Sequence, residues 1–459
     1  MSIPRPLEPP TIEVAAQPRG RFGGGAGPRL LLFSAVGLAW IIPALWNHRF
    51  LYAMLVWDVS LLLAFLADWM RLPRPYQLLV KREWNAPLSI GVKSPLSISI
   101  RNLTRVPLQA KIVDELPQSL WHEIKVSTVT VPGEGRATAH LEYTPGSRGD
   151  RKTGRVFLRY QSAFQMAERW AVADLTQTVR IYPNFEHARK SAVYLARSRQ
   201  IELQMRLMRL RGMGSDFETL REYRDGDELR NVCWTASARR GKLVTKTYRV
   251  ERSQAVWIVL DCGRLMRART GGFSKLDRAV DAALCLSQLA LYSGDRVGLL
   301  AYGRTVNQRV APGRGAAQMR HIVEQLALVN EEVPEADHIR AAASLMTLQK
   351  QRGLIIWITD LAESAMTPEV IDAAGQMLSR HLLLFAVIAQ PELKQKARHN
   401  PTTAEDMYQV VASQEMVYRR ELLLGRLRER GALCMEVEPS RISSAILNQY
   451  LIVKERNLV

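Results

Sequence analysis

The fold of the C-terminal half is decided by the stretch Ala255-Val256-Trp257-Ile258-Val259-Leu260-Asp261. Its six apolar residues run without interruption and end at a carboxylate. A second stretch of this kind, Leu354-Ile355-Ile356-Trp357-Ile358-Thr359, ends at Asp360. Continuous apolar runs of this length are typical of strands buried on both faces, as in a parallel sheet covered by helices.

Helical patterns and further strands alternate over residues 251–459, and Ser274 with Asp277 predicts a capping box for one of the helices. This alternation predicts a parallel, doubly wound α/β domain. Such sheets bind ligands beyond the carboxyl ends of their strands, where Asp261 and Asp360 lie. The additional strands are expected at 297–302, 382–389 and 433–437.

The middle of the chain has a different pattern. Over residues 76–183, short runs such as Leu96-Ser97-Ile98-Ser99-Ile100 alternate apolar and polar residues between turn signals. Period-two alternation predicts an antiparallel, β-sandwich-like domain, interpreted as a spacer or interaction module. Residues 184–250 follow, with a basic helix predicted at 186–210 and a charged segment after it.

The N-terminal part contains two apolar runs, 30–46 and 50–70, separated by Asn47-His48-Arg49. Their lengths are close to the roughly 20 residues that cross a bilayer, so a transmembrane helical hairpin is predicted over 30–70. Residues 1–29 are rich in Pro, Gly and Arg and are predicted to be a disordered basic tail.

Basic residues flank the two runs but are nearly missing from the loop between them, which has only Arg49 and His48. The positive-inside rule therefore places both termini in the cytoplasm. The flanking residues are Arg5, Arg19, Arg21 and Arg29 before the first run, and Arg71, Arg74, Lys81 and Arg82 after the second.

Asp58 lies inside the second apolar run, where a charge costs roughly 2.5–3.5 kcal/mol on insertion scales. Two interpretations remain open. Asp58 contacts another membrane segment, or it is a protonated or water-reaching carboxyl near the outer end of the helix. The second interpretation is preferred.

The composition restricts the partners. The formal net charge is +19, which suits an anionic membrane surface, an acidic protein or nucleic acid. With an anchor present, lipid headgroups are the simplest explanation. Nucleic acid is not expected, because the basic residues are scattered and no recognised module is present. The cysteines form no C-x-x-C pair, which fits a reducing cytoplasm; they are Cys233, Cys262, Cys285 and Cys434.

Signals of catalysis are absent from the sequence. It has no P-loop, no H-E-x-x-H, no G-x-S-x-G elbow and no dinucleotide fingerprint after a strand. The eight histidines are scattered. We therefore expect a non-enzymatic interaction protein. The alternative is a metal-dependent hydrolase that uses Asp261 and Asp360, and a polyanion binder is a weaker one.

A dense pattern of alternating charge runs from 214 to 246, and its acids and arginines could form an ion-pair network. This segment resembles the signature of the domain-of-unknown-function-58 family. The residues that carry the resemblance are Phe217, Leu220, Arg221, Tyr223, Gly226, Asp227, Arg230, Trp234, Ser237, Ala238 and Arg239.

The resemblance implies a protein of the bacterial inner membrane, with a paired N-terminal hydrophobic segment, a β-rich region and a C-terminal domain like von Willebrand factor A. It also implies a partnership with a MoxR-type AAA+ ATPase in the chaperone-like maturation of client proteins. The sequence itself identifies neither the clients nor the pathway.

Von Willebrand factor A domains hold a divalent cation with a D-x-S-x-S loop, a threonine and a later aspartate. Here the loop reads Asp261-Cys262-Gly263-Arg264-Leu265, so both serines are missing, and Asp337 stands near the place of the threonine. The implied metal set is thus a degenerate one of Asp261, Asp337 and Asp360. Either no cofactor or a weakly bound Mg²⁺ is expected. In the competing interpretation Arg264 pairs with one of these acids and leaves Gly263 and Arg264 on a metal-free interaction edge.

Overall fold

The computed structural model divides into two compact units, residues 5–182 and residues 183–459. The part of the chain that the structure describes is 11–20, 23–47, 49–118, 120, 126–185, 194, 197–201, 216–224, 229, 232–249, 254–361, 368–456 and 458.

The described part of the first unit contains two apolar helical stretches and thirteen short strands. Its helices are α1 (Pro28–Gly37), α2 (Ile41–Ala44) and α3 (Arg49–Arg71), with a 3-10 turn at Leu38–Trp40. Its strands are β1 (Ile12–Ala15), β2 (Gln17–Pro18), β3 (Gly24–Ala26), β4 (Leu78–Trp84), β5 (Leu88–Ser89), β6 (Ser94–Asn102), β7 (Leu108–Asp114), β8 (Val126–Val131), β9 (Arg136–Tyr143), β10 (Gly149–Lys152), β11 (Val156–Gln161), β12 (Ala167–Ala173) and β13 (Thr178–Tyr182).

Two antiparallel sheets enclose the core of this unit. One has the order β1-β4-β6-β9, the other has the order β2-β12-β11-β7-β8, and β3 also pairs with β12. A smaller sheet joins β10, β13 and β5. Val80 and Ile98 from the first sheet share one buried cluster with Ile112 and Leu158 from the second. The alternation seen in the sequence therefore points every second side chain toward this core.

The prediction of a disordered tail over 1–29 is wrong for the residues that form β1, β2 and β3. β1 pairs antiparallel with β4, and β2 and β3 pair with β12. Ile12 and Val14 pack on the core and Ala16 is fully buried. The chain before the apolar helices and the chain after them are thus hydrogen-bonded into the same β-structure.

The apolar helices pack against each other. Among the described residues, α3 is the one helix long and apolar enough to cross a membrane, with a mean hydropathy of 2.1; the other apolar stretch, Pro28–Pro43, is shorter. Trp57 Nε1 of α3 donates a hydrogen bond to the carbonyl oxygen of Phe33 on α1 at 3.2 Å. The structure therefore has one helix of spanning length with a shorter apolar stretch beside it.

The last turn of α3 is bonded to the β-structure through the buried carboxylate of Asp68. Asp68 Oδ1 accepts a hydrogen bond from Ser162 Oγ at 2.5 Å. Its Oδ2 accepts from the backbone N–H groups of Met166 at 3.0 Å and Ala167 at 2.9 Å. Arg169 Nη2 adds a bond to the carbonyl oxygen of Trp69 at 2.9 Å. These contacts fix the end of α3 to the turn between β11 and β12.

Arg82, counted above as a flanking charge, is instead a core residue of β4. It forms a buried ion pair with Asp114 and donates to Thr153 Oγ1 at 2.9 Å. Burial raises the pKa of Asp114 to about 6, although the charge of Arg82 opposes this shift. Arg82 therefore stabilises the β-structure and adds nothing to the basic flank of the helices.

The second unit contains a six-stranded sheet of order β20-β19-β16-β21-β22-β23. β19, β16, β21, β22 and β23 are parallel and β20 is antiparallel to β19. The strands are β16 (Ala255–Asp261), β19 (Arg296–Tyr302), β20 (Val306–Gly313), β21 (Leu354–Thr359), β22 (Leu382–Ile388) and β23 (Leu433–Val437), and a small ribbon consists of β17 (Arg269–Thr270) and β18 (Phe273–Ser274).

Helices cover this sheet. They are α5 (Lys275–Tyr292), α6 (Gly315–Leu328), α7 (His338–Leu348), α8 (Pro368–Leu378), α9 (Pro391–Ala397), α10 (Ala404–Glu429) and α11 (Ile442–Glu455). β16 and β21 are buried along their whole length, as their sequences predict. The chain leaves β16 toward β19 and later leaves β21 in the opposite direction, toward β22. Right-handed crossovers in opposite directions place their helices on opposite faces, which is the doubly wound arrangement.

The segment between the sandwich and the sheet is described only in part. β14 (Asp216–Glu222) and β15 (Val244–Arg249) pair antiparallel, and α4 (Trp234–Arg240) lies between them in the chain. Residues 197–201 are helical, and most of the basic helix predicted at 186–210 lies outside the described residues.

We predict that Asp68→Asn loosens the joint between α3 and the β-structure. The amide oxygen of asparagine is uncharged, so its bonds to Met166 and Ala167 are worth about 0.5–1.5 kcal/mol each, against about 1.5–3 kcal/mol for a charged acceptor. Hydrogen exchange of the full-length protein in detergent should show faster exchange at these two amides. Asp150→Asn is the control, because its exposed pair with Arg180 is worth about 0–1 kcal/mol. Unchanged exchange at both amides in Asp68→Asn would contradict this role.

Candidate functional site

The candidate site lies at the carboxyl ends of β16 and β21, the neighbouring strands at which the sheet order reverses. Asp261 ends β16 and Asp360 follows β21, as predicted, and both are buried. Open α/β sheets bind their ligands at this type of position. The state of these two carboxylates therefore determines what the edge can bind.

Both oxygens of Asp360 are bound by cations from other elements. Lys275 Nζ of α5 lies 2.5 Å from Oδ2, and Arg420 Nη2 of α10 lies 2.5 Å from Oδ1. Gln390 Nε2 donates to Oδ2 at 3.3 Å. Lys275, Asp360 and Arg420 are 2%, 1% and 3% exposed. Asp360 thus forms two fully buried ion pairs.

The ion pairs continue away from Asp360. Arg420 Nη1 also contacts Glu436 Oε1 of β23 at 3.3 Å, and Glu436 Oε2 accepts from Lys394 Nζ of α9 at 2.5 Å. Burial lowers the pKa of Lys275, and the charge of Asp360 opposes this shift. This network, defined by Lys275, Asp360, Arg420, Glu436 and Lys394, connects one strand end with three helices and a further strand.

Asp261 is satisfied by neutral groups. Its Oδ2 accepts from Thr359 Oγ1 at 2.6 Å and its Oδ1 accepts from the backbone N–H of Gly263 at 2.8 Å. Burial raises the pKa of Asp261, while the nearby His338 and these hydrogen bonds lower it. Both carboxylate oxygens of Asp261 are therefore also engaged.

A buried aromatic cluster stands behind Asp261. Tyr302 OH lies 2.6 Å from His338 Nδ1 and accepts from Trp357 Nε1 at 2.7 Å. The rings of Tyr302 and Trp357 meet edge to face. Burial lowers the pKa of His338, against the opposing charges of Asp261 and Asp337. The cluster therefore favours a neutral imidazole at neutral pH.

The residues at this edge do not fit a divalent cation. Gly263 and Leu265 offer no hydroxyl, and Asp337 caps α7 by accepting from the backbone N–H of Arg340 at 2.9 Å. Within the described ranges, no three His, Cys, Asp or Glu side chains are grouped as metal ligands. The cleft here has a volume of about 20 Å³, enough for a water-sized group, and is lined by Asp261, Gly263, Arg264, Leu265, Glu335, Ala336, His338 and Asp360.

The expected partners of Arg264 were Asp261, Asp337 or Asp360. Instead, Arg264 Nη2 pairs with Glu335 Oε1 at 3.2 Å, and both side chains are more than half exposed. Gly263 and Arg264 both line the cleft, in the loop after β16. Their role as an interaction edge stays a prediction.

Sequence reasoning missed the cations that bind Asp360. Lys275 is the first residue of α5, a position that is normally solvated, and nothing in its neighbourhood marks it as buried. Arg420 carried a usable signal, because it lies on the inner face of α10 with Leu423, Leu424 and Leu427. A charged residue at helical spacing with three core leucines indicates a buried ion pair.

The family-signature residues lie in and around the β14–β15 pair. Ser237 Oγ donates to the carbonyl oxygen of Cys233 and accepts from the backbone N–H of Val244, each at 2.9 Å, which fixes α4 to β15. Trp234 is 66% exposed. Leu220 and Arg221 lie in β14, Tyr223 follows it, and Ala238 and Arg239 lie in α4. Gly226, Asp227 and Arg230, and the side chain of Phe217, lie outside the described residues.

Asp58 is exposed on α3, nine residues after Arg49 and ten before Asp68. It is therefore near the middle of the helix, and its position relative to a bilayer stays a prediction.

Comparisons with known proteins agree with the signature. Residues 219–396 match the family model described as "Protein of unknown function DUF58". The family resemblance predicted from the sequence is thus confirmed for this segment. Uncharacterized proteins of Mycobacterium bovis and Mycobacterium tuberculosis are 27% identical over 152 residues, which are 32% of this chain and 48% of theirs. The chain spans about half the length of these curated relatives.

Two solved structures are distantly similar. The conserved hypothetical protein BatB from Bacteroides thetaiotaomicron has a TM-score of 0.30 and 15% identity, covering 45% of this chain and 100% of that one. An uncharacterized membrane spanning protein from Vibrio fischeri has a TM-score of 0.17 and 15% identity, covering 43% and 96%. At these TM-scores neither likeness says anything about this chain's fold.

We predict that His338 makes the second unit sensitive to acid. Its pKa is lowered in the folded state, so below the unfolded pKa of about 6.5 the unfolded chain binds a proton that the folded chain does not. Stability is then complete above that pH and decreases as the pH falls, by at most about 1.4 kcal/mol per pH unit for one proton.

The measurement is the melting temperature against pH for wild type and His338→Gln. The variant should lose part of the slope between neutral and acidic pH. His321→Gln, at an exposed position of α6, is the control and should keep the wild-type slope. Parallel curves for wild type and His338→Gln would contradict the prediction.

Proposed function

We propose that this protein is a membrane-anchored, non-enzymatic interaction protein. It presents its C-terminal α/β domain to a cytoplasmic MoxR-type AAA+ ATPase, or to the clients of that ATPase, in chaperone-like protein maturation. The observation that carries the proposal is the internal pairing of Asp360 with Lys275 and Arg420. An edge whose carboxylates are already paired is better suited to contact a protein than to do chemistry.

The assignment of a von Willebrand factor A-like domain is part of this proposal. Its support is the strand order: numbered along the chain, the six strands have the order 3-2-1-4-5-6, and the third is antiparallel. In a domain of this kind the carboxyl edge is the recognition surface. Gly263 and Arg264 lie at its rim. There Arg264 and Glu335 form an exposed ion pair, and a charged group of a partner can replace either member of it.

The membrane arrangement has independent support. The residues before α1 and those after α3 belong to the same β-structure, so the apolar segment must leave and return on one side of a bilayer. α3 is about 34 Å long at 1.5 Å per residue, and the part before Asp68 is about 28 Å long, which is close to a hydrocarbon core of about 30 Å. Arg29 and Arg71 flank the ends next to the β-structure, and the positive-inside rule assigns that side to the cytoplasm. We therefore propose a two-helix anchor in the bacterial inner membrane.

The alternative of a hydrolase using Asp261 and Asp360 has less support. A general base must reach a substrate proton with a free oxygen. Asp360 is bound by two cations, and Asp261 accepts from Thr359 and Gly263. Binding of lipid headgroups remains part of the proposal through the net charge of +19.

We predict that full-length protein in mild detergent captures an AAA+ ATPase, with recovery that differs in the presence and absence of ATP. Arg264→Glu places a second negative charge beside Glu335 at the rim and should lower recovery by at least about tenfold, since a lost charged contact is worth roughly 1.5–3 kcal/mol. Mass spectrometry of the eluate provides the measurement.

The matched control is Arg380→Glu, which reverses an exposed arginine before β22, at the opposite edge of the sheet. It should capture the ATPase as wild type does. The proposal fails if wild type recovers no AAA+ ATPase, or if both variants recover equal amounts.

The anchor predicts an asymmetric labelling pattern. In a variant without native cysteines, Asn47→Cys between α2 and α3 should react with an impermeant maleimide in intact spheroplasts. Gln17→Cys in β2 should react only after lysis. Equal reaction of both positions before lysis would show that the helices do not form a two-span anchor.

A further inference from the structure

Lys275 occupies an unusual position for a lysine. It is the first residue of α5, where the positive end of the helix dipole disfavours a cation, and its side chain is buried. The only carboxylate within ion-pair distance of it among the described residues is that of Asp360. Local rules are broken in this way where a residue has a specific task.

The backbone holds Lys275 in place from both sides. Ser274 Oγ accepts from the backbone N–H of Asp277 at 3.1 Å, and Asp277 Oδ2 accepts from the backbone N–H of Ser274 at 3.0 Å, so a capping box fixes the start of α5. The backbone N–H of Lys275 donates to the carbonyl oxygen of Ala268 at 2.9 Å. The ammonium of Lys275 is therefore positioned next to Asp360 by the fixed start of α5.

We propose that the Lys275 ammonium stands in for a divalent cation at Asp360, so that this domain carries its own cation and excludes a metal. The proposal is independent of any partner. It explains why Gly263 and Leu265 need no hydroxyl, since there is no metal for them to coordinate.

The charges at the edge support this assignment. The network contains two acids, Asp360 and Glu436, and three cations, Lys275, Arg420 and Lys394. Asp261 beside it accepts hydrogen bonds from neutral groups. A divalent ion added to this arrangement would place two further positive charges beside buried cations, which is strongly unfavourable. Removal of Lys275 lowers the positive charge at the edge by one and takes the ammonium away from Asp360 Oδ2.

The test is a titration of the full-length protein in detergent with Mn²⁺, followed by electron paramagnetic resonance, together with melting temperatures in Mg²⁺ or chelator. Wild type should bind no Mn²⁺ at this edge, and neither Mg²⁺ nor chelator should change its melting temperature. Lys275→Ser, which supplies a hydroxyl, should bind Mn²⁺ at least about tenfold more tightly, because the charge of the ligand set controls the affinity for hard cations.

Lys394→Ser is the matched control, because it removes a cation that contacts Glu436 and leaves Asp360 paired. It should bind no more Mn²⁺ than wild type. Folded Lys275→Ser that gains no Mn²⁺ would overturn the proposal, because the ammonium would not be what excludes the metal. If Lys275→Ser does not fold, the titration of the wild-type protein is the test. Saturable Mn²⁺ binding by wild type that is lost in Asp360→Asn would overturn the proposal. If wild type shows no saturable Mn²⁺ binding, the proposal is supported.

Discussion

The pairing of Asp360 with Lys275 and Arg420 is the interaction on which the C-terminal domain depends. Lys275 belongs to α5, which follows β16 on one face of the sheet, and Arg420 belongs to α10, which packs on the other face. Asp360 lies where the sheet order reverses, so its carboxylate forms ion pairs with a helix on each face of the sheet. Loss of one partner of a buried pair typically costs 3–5 kcal/mol, because a charge is left uncompensated. The same pairing is the observation from which we propose that this edge contacts a protein and excludes a metal.

Much of this domain could be predicted from the sequence, because the unbroken apolar runs of β16 and β21 indicate strands that are buried on both faces. The positions of Asp261 and Asp360 followed, since both come directly after such strands. The partners of Asp360 did not follow. Lys275 and Arg420 lie 85 and 60 residues away along the chain, and such pairs depend on tertiary placement that no local pattern encodes. Arg264 shows the reverse error, for it was expected to pair with Asp261, Asp337 or Asp360, whereas its described ion pair is with Glu335.

In the N-terminal unit, too, some features could be predicted from the sequence and others could not. The alternation of β6 and the apolar character of α3 were evident from the sequence. Strands β1 to β3 were missed, because strands of two to four residues are too short to show a periodic pattern and are defined by the strands that they pair with. For the proposed anchor, their pairing with β4 and β12 requires the apolar segment to begin and end on one side of the bilayer. The hydrogen bonds of Asp68 then connect the end of α3 to the β-structure.

The most direct test of the central claim is a crystal structure of the full-length protein grown in Mn²⁺, with diffraction recorded at the manganese absorption edge. The account predicts electron density for the Lys275 side chain ending at Asp360 and no anomalous peak between β16 and β21. A manganese peak bridging Asp261 and Asp360, with Lys275 turned away, would contradict it.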